Sequence, residues 1–117
     1  MRLTEIQKTG READMKTVKT RHGDLNAGTV KLCVPVCERE FNGIEQACAL
    51  LQEGIDVVEW RMDFFLGKTK ADWLNALHLI RTQIKERMLL VTWRTKREGG
   101  VQECSKEEYV TLLEWMI

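Results

Sequence analysis

Three apolar runs alternate along this chain with segments whose apolar residues recur at helical spacing, and that alternation confines the fold more than any other feature. The runs are Lys31 to Cys37, Ile55 to about Arg61, and Met88 to Arg94, dense in Val, Leu, Cys and Met. A strand apolar on both sides must be covered on both sides, which the crossover helices of a parallel sheet do. The first predicted helix opens near Asn42 and carries Phe41, Ile44, Cys48 and Leu51 on one stripe, with Gly54 where a left-handed cap is expected. The second starts at Thr69, a cap with Asp72 three residues on, and buries Trp73, Leu77, Ile80 and Ile84. Ser105-Lys106-Glu107-Glu108 is a capping box opening the third, whose buried face is Tyr109, Leu112, Leu113 and Met116. No glycine, proline or basic last turn follows, so the chain is expected to end inside this helix.

An open doubly wound sheet and a segment of a (β/α)8 barrel both satisfy this α/β pattern. A barrel needs eight strands and commonly about 250 residues, and only three such strands are present here. Upstream, residues 1–14 are polar and without period, and are expected to form a disordered extension ahead of a domain spanning 15–117. Lys16 to Thr20 suggests a short polar strand, and Gly23 to Gly28 a turn or loop. A start at Met15 would leave a tidier domain.

With 117 residues the chain is expected to form one domain with a modest core. Lys and Arg number 18, as do Asp and Glu, so no broad field for nucleic acid or an anionic membrane follows. The apolar runs are too short to span a bilayer, and Met1-Arg2-Leu3-Thr4-Glu5 lacks the apolar core of a secretion signal, which makes the cytoplasm the expected location. Cys33 and Cys37, four apart on one strand, stand roughly 13 Å apart. That is too far for one zinc or one disulfide, so Cys33, Cys37, Cys48 and Cys104 are expected to be free thiols with no metal.

The second and third strands both finish in charge: Glu59-Trp60-Arg61-Met62-Asp63, and Thr92-Trp93-Arg94 followed by Glu98-Gly99-Gly100. Alternation puts Glu59, Arg61 and Asp63 on one face with Val57, and Val58, Trp60 and Met62 toward the helices. Leu90, Thr92 and Arg94 likewise share a face. Arginine offers carboxylate a planar fork of donors, and glutamate accepts from hydroxyls, so this rim suits a small polar anion. A plain salt-bridge network of Glu59 and Arg61 with Arg94 and Glu98 fits the same residues. Gly99-Gly100 fits either a simple turn or a close approach of backbone to a ligand. His22, in an early loop, and His78, beside the apolar stripe of the second helix, read as surface residues. Arg94-Thr95-Lys96-Arg97 reads as one substrate-facing arginine followed by a solvated loop.

At these rim residues the chain strongly resembles type I 3-dehydroquinate dehydratase, the Schiff-base enzyme of the shikimate pathway. The matching stretches are Glu59-Trp60-Arg61-Met62-Asp63 and Thr92-Trp93-Arg94-Thr95-Lys96-Arg97-Glu98-Gly99-Gly100, with Lys31-Leu32-Cys33-Val34-Pro35-Val36 and Met15-Lys16-Thr17-Val18 also fitting. The resemblance covers about residues 15–117. It implies the N-terminal part of a (β/α)8 barrel, about three βα units preceded by a short hairpin, and the dehydration of 3-dehydroquinate to 3-dehydroshikimate. By resemblance, Glu59 and Arg61 contact substrate hydroxyls, Arg94 fixes the polar substrate, Glu98 supports the catalytic histidine, and Asp63 braces the arginines. A lysine forms an imine with the ketone and the histidine moves the protons, without metal or organic cofactor. Full-length members are implied to be homodimers.

The family's lysine and histidine belong to later strands, and neither His22, His78 nor any lysine here matches them. The chain alone is therefore expected to be inactive, a truncated form holding the grip without the reacting residues. Pro35 stands where some members carry serine. Three strands alone would leave edges unpaired and an apolar inner face exposed. A non-catalytic binding or assembly module completed by a partner is the alternative, and an unrelated open α/β domain with purely structural rim charges is a third.

Overall fold

The computed structural model describes residues 16–26 and 28–117 of the chain, so the expected extension over 1–14 lies outside the described residues. Two compact units divide after Val30. In the first, β1 (Val18–Thr20) pairs antiparallel with β2 (Gly23–Leu25), in register Val18 to Leu25 and Thr20 to Gly23. Gly23 to Leu25 is thus a strand where the residues alone suggested a turn or loop, and with β1 it forms the short hairpin that the resemblance implied. Arg21 and His22 form a two-residue turn, and Thr20 Oγ1 donates to Gly23 O at 2.5 Å across it. A Gly-Asp-Leu triplet carries no apolar period, and it is the pairing that makes it extended.

The second unit runs β3 (Cys33–Val36), α1 (Phe41–Ala49), β4 (Val57–Arg61), a 3-10 turn (Met62–Phe64), α2 (Lys70–Ile84), β5 (Met88–Thr92), a second 3-10 turn (Lys96–Glu98) and α3 (Lys106–Trp115). The three strands form a parallel sheet in the order β3-β4-β5, with Val36 level with Trp60, Trp60 with Val91, and Arg61 with Thr92. The parallel sheet with covering helices is the architecture expected from the alternation. Observed strands are two or three residues shorter than their apolar runs, because pairing covers only part of each apolar stretch.

Both capping boxes form as the sequence indicates. Thr69 accepts from Asp72 N while Asp72 accepts from Thr69 N, and Ser105 and Glu108 do the same for α3. Each satisfies helix-end N–H groups that would otherwise lack partners. Gly54 has a positive φ of 88°, but it lies beyond Leu50, the residue that ends α1, and belongs to the turn into β4.

The core lies between the sheet and its helices. Val36, Val58, Trp60, Met62, Ile44, Ile80 and Ile84 are almost wholly buried there. An aromatic chain stitches it together: Trp60 to Phe65 at 6.1 Å, Phe65 edge-on to Trp73 at 5.1 Å, and Trp73 to Trp93 at 6.1 Å. On the opposite face of the sheet Leu90 is 50% exposed, and Cys33 and Pro35 are exposed as well.

Arg87 bolts the amino-terminal ends of the strands. Its guanidinium donates to Ile55 O at 3.0 Å and Gln52 O at 3.1 Å, while Arg81 donates to Arg87 O at 2.5 Å. With that end tied by backbone carbonyls, the carboxyl ends carry the side-chain chemistry.

Candidate functional site

Glu59 and Arg61 project from β4 on the face away from the helices, since Val58, Trp60 and Met62 fill the helix side. Glu59 accepts a hydrogen bond from Thr92 Oγ1 on β5 at 3.2 Å. Sheet pairing ends at Arg61, whose ψ of 84° turns the chain into the 3-10 segment. Asp63 therefore does not continue the alternation to the open face as expected; it swings beneath the rim and is fully buried.

From there Asp63 takes both donors of Arg61, Nε to Oδ1 and Nη2 to Oδ2, each at 2.8 Å. It also accepts from the backbone N–H of Arg94 at 3.3 Å and of Val101 at 3.4 Å. Burial pushes its carboxyl up, yet the Arg61 guanidinium and these N–H groups outweigh that and hold it below the ordinary carboxylate value. The Asp63 hydrogen bonds hold Arg61 still more firmly protonated. The Arg61 guanidinium also lies 4.9 Å from the centre of the Phe64 ring, which restricts it further.

Arg94 reaches the same hub through its backbone, and its side chain is exposed. Glu98 sits in the second 3-10 turn, exposed, with its carboxylate on Thr95 Oγ1 at 3.0 Å. The network of Glu59 and Arg61 with Arg94 and Glu98 is not the pairing found: Arg61 takes Asp63, Glu59 takes Thr92, and Glu98 takes Thr95. Gly100 answers the question its motif raised. It is buried, its N–H donates to Thr95 O at 2.8 Å, and a Cβ there would lie 1.8 Å from Arg94 O, so this glycine serves loop closure.

Cys37 follows β3 at the same rim; burial raises its thiol despite the nearby Arg61 charge. His22 lies in the β1–β2 turn and His78 on α2, neither on β3, β4 or β5. Two residues escaped the sequence reading. Thr92 was placed on the right face without a role, and polarity at a strand end was its only signal. Gln102 had no local signal: its Nε2 donates to Asp63 O at 2.8 Å and Phe65 O at 2.7 Å.

Hollows of about 430 Å³, walled by the β3–α1 turn and Phe64, and about 370 Å³, between α2 and α3, flank this region. Neither is lined by Glu59, Arg61, Arg94 or Glu98. No set of three His, Cys, Asp or Glu among the described residues is grouped as for a metal ion, and no described helix is long and apolar enough to cross a membrane.

Parallel βα units with polar side chains gathered at the carboxyl ends of adjacent strands define an α/β protein whose site lies at that end of the sheet. The profile of the type I 3-dehydroquinase family matches residues 32–117, and the chain belongs to that family. It is 38% identical over 100 residues to the 3-dehydroquinate dehydratase of Syntrophotalea carbinolica, and 34% identical over 100 residues to that of Salmonella agona. Each alignment covers 84% of this chain, which spans about 40% of the length of these relatives. Among solved structures, the type I 3-dehydroquinate dehydratase of Clostridium difficile, crystallised with covalently modified comenic acid, superposes with a TM-score of 0.75 at 30% identity. That match covers 83% of this chain and 39% of the other. The Geobacillus kaustophilus 3-dehydroquinate dehydratase gives 0.74 at 26% identity, over 86% of this chain and 40% of the other.

Proposed function

We propose that this chain carries the substrate-gripping part of a type I 3-dehydroquinate dehydratase, which converts 3-dehydroquinate to 3-dehydroshikimate. What supports this most is one grouping. Glu59 with Thr92, and Arg61 with Asp63 and the Arg94 backbone, meet at adjacent strand ends in a chain of this family.

In this reading Glu59 and Arg61 hold substrate hydroxyls. Arg61 keeps its outward donors for the substrate because Asp63 occupies only Nε and one Nη2 direction. Arg94 fixes the polar substrate. Glu98 orients the histidine supplied by the later strands of the barrel. There a lysine amine condenses with the substrate ketone, releasing water and forming an imine that acidifies the neighbouring carbon. The histidine removes that carbon's proton and returns a proton to the departing hydroxide, which leaves as water; a second water then hydrolyses the imine, freeing the lysine amine and the ketone product. Neither His22, His78 nor any lysine of this chain takes those parts, so these 117 residues alone bind without turning over. Residues 15–117 act as a partial barrel domain, the location is cytoplasmic, and the full-length enzyme is a homodimer.

The test is incubation with 3-dehydroquinate and borohydride, followed by mass spectrometry and an assay for 3-dehydroshikimate. Neither an adduct nor product is expected. Thermal stabilisation by 3-dehydroquinate is expected, and Arg94→Ala should abolish it. A lysine-linked adduct with turnover would overturn the predicted inactivity, and a wild-type chain without stabilisation would overturn the grip.

A second reading, an assembly module completed by a partner, draws on the open sheet face, where Leu90 is 50% exposed. Mixing with a chain that supplies the remaining strands would then restore turnover. Failure to do so, with both chains folded, would remove this reading.

A further inference from the structure

We infer that Gln102 is a positioning residue for the rim, fastening the loop that carries Glu98 to the turn that carries Asp63. This rests on the reading of Glu59, Arg61 and Arg94 as the substrate grip and of Glu98 as the support of a histidine. A primary amide has two N–H donors on one nitrogen. Gln102 directs them to two carbonyls of the segment after β4, Asp63 O at 2.8 Å and Phe65 O at 2.7 Å. Both carbonyls lie beyond Arg61, the last residue of β4 paired with β5.

The same loop is tied a second time from the other side. Asp63 accepts from Arg94 N at the loop's start and from Val101 N near its end. Gly100 narrows the neck between them, its N–H on Thr95 O and no space for a side chain against Arg94 O. Residues 94–102 therefore form a closed loop whose two ends converge on Asp63, and Glu98 rides on it. Gln102 holds the main chain of that hub while Arg61 holds its carboxylate. The spacing of Arg61, Arg94 and Glu98 depends on both attachments. A substrate held by Arg61 and Arg94 would sense a displacement well under the reach of a hydrogen bond, because polar recognition falls steeply with misalignment.

The experiment compares the 117-residue chain with Gln102→Glu and Gln102→Asn. The glutamate has the same shape but turns an acceptor toward two carbonyl oxygens. The asparagine keeps both donors on a shorter arm and should retain one of the two bonds. Binding of 3-dehydroquinate is followed by NMR titration below the melting range, together with hydrogen exchange at the Arg61 Nε–H. A variant that is only less stable binds with unchanged affinity while it remains folded, so affinity separates positioning from stability. Gln102→Glu is expected to weaken binding about tenfold, the scale of losing two modest hydrogen bonds, and to speed Arg61 exchange. Gln102→Asn should fall between it and wild type. Unchanged affinity and exchange in both variants would overturn the inference. If the wild-type chain itself does not bind, the grip reading fails, and Arg61 exchange in the two variants then decides the role of Gln102. Should Gln102→Glu not fold, the same readouts in Gln102→Asn decide it.

Discussion

Arg61 and Asp63, two residues apart, form a two-point ion pair across the end of β4, with both N–O distances 2.8 Å, the acid fully buried and the arginine side chain 14% exposed. In a continuing strand the two side chains would stand side by side on the open face. The break from strand to 3-10 turn at Arg61 folds the acid back under the arginine. The pair therefore records a local change of backbone, and it ties the end of β4 to the loop after β5 through the N–H groups of Arg94 and Val101.

Asp63→Asn should accordingly destabilise the chain by about 3 kcal/mol, the range for breaking a buried pair from one side. The substitution leaves the guanidinium without its counter-charge. It also turns an amide N–H toward the donors of Arg94 or Val101. Urea unfolding measures the loss. A change below about 0.5 kcal/mol, as for an ordinary surface position, would mean that Asp63 ties nothing together.

The same carboxylate should shape the acid limb of stability. Although burial opposes it, Arg61 and the backbone N–H groups hold Asp63 below the ordinary value of 3.8, so the folded chain takes up this proton less readily than the unfolded one. Its contribution is therefore complete above the unfolded value and lost as pH falls through the lower folded value. Asp72 is depressed too, by the Lys68 and Thr69 N–H groups, and adds in the same direction. Melting temperature measured from about pH 6 down to about pH 2 should fall more gently in Asp63→Asn than in wild type. An unaltered slope would remove Asp63 from the acid transition.

Where a feature depends on near neighbours, the sequence carried it. Thr69 with Asp72 and Ser105 with Glu108 are three residues apart and appear as capping boxes. The period of two placed Val58, Trp60 and Met62 toward the helices and Glu59 and Arg61 opposite. It failed one residue pair later, because periodicity cannot report where a strand stops, and Asp63 lies past that point. Gly23 to Leu25 carries no strand signal of its own because only pairing with β1 extends it, and the hairpin was legible through the family resemblance alone. Gln102 and Arg87 were illegible for a different reason. Their partners Asp63 and Gln52 lie 39 and 35 positions away, and no local pattern encodes such a contact.

The two adjacent glycines of the rim loop should separate cleanly on mutation. Gly99 has a φ of 94° with open space around it, so Gly99→Ala costs only the left-handed backbone, about 1 kcal/mol. At Gly100 a methyl group would stand 1.8 Å from the Arg94 carbonyl oxygen, which is backbone and cannot swing aside. Gly100→Ala should cost about 3 kcal/mol and shift the Arg94 amide resonance. Equal costs at the two positions would show that the loop yields and that its neck is not tight.

Thiol reactivity should report which face of the sheet is open. Cys33 is exposed on β3, while Cys48 is 5% exposed on the inward side of α1. Both thiols are raised, Cys33 by burial and then by the Glu59 charge, Cys48 by burial alone, so neither gains from a low pKa and access decides. Iodoacetamide at neutral pH should label Cys33 at least about tenfold faster than Cys48, whose modification must wait for an opening of the core. Glu59→Gln removes a negative charge beside Cys33, which should lower that thiol's pKa and speed its labelling while leaving Cys48 unchanged. Comparable rates at the two cysteines would mean that α1 does not cover the sheet. Protection of Cys33 that grows with protein concentration would mean that a second copy closes over the open face.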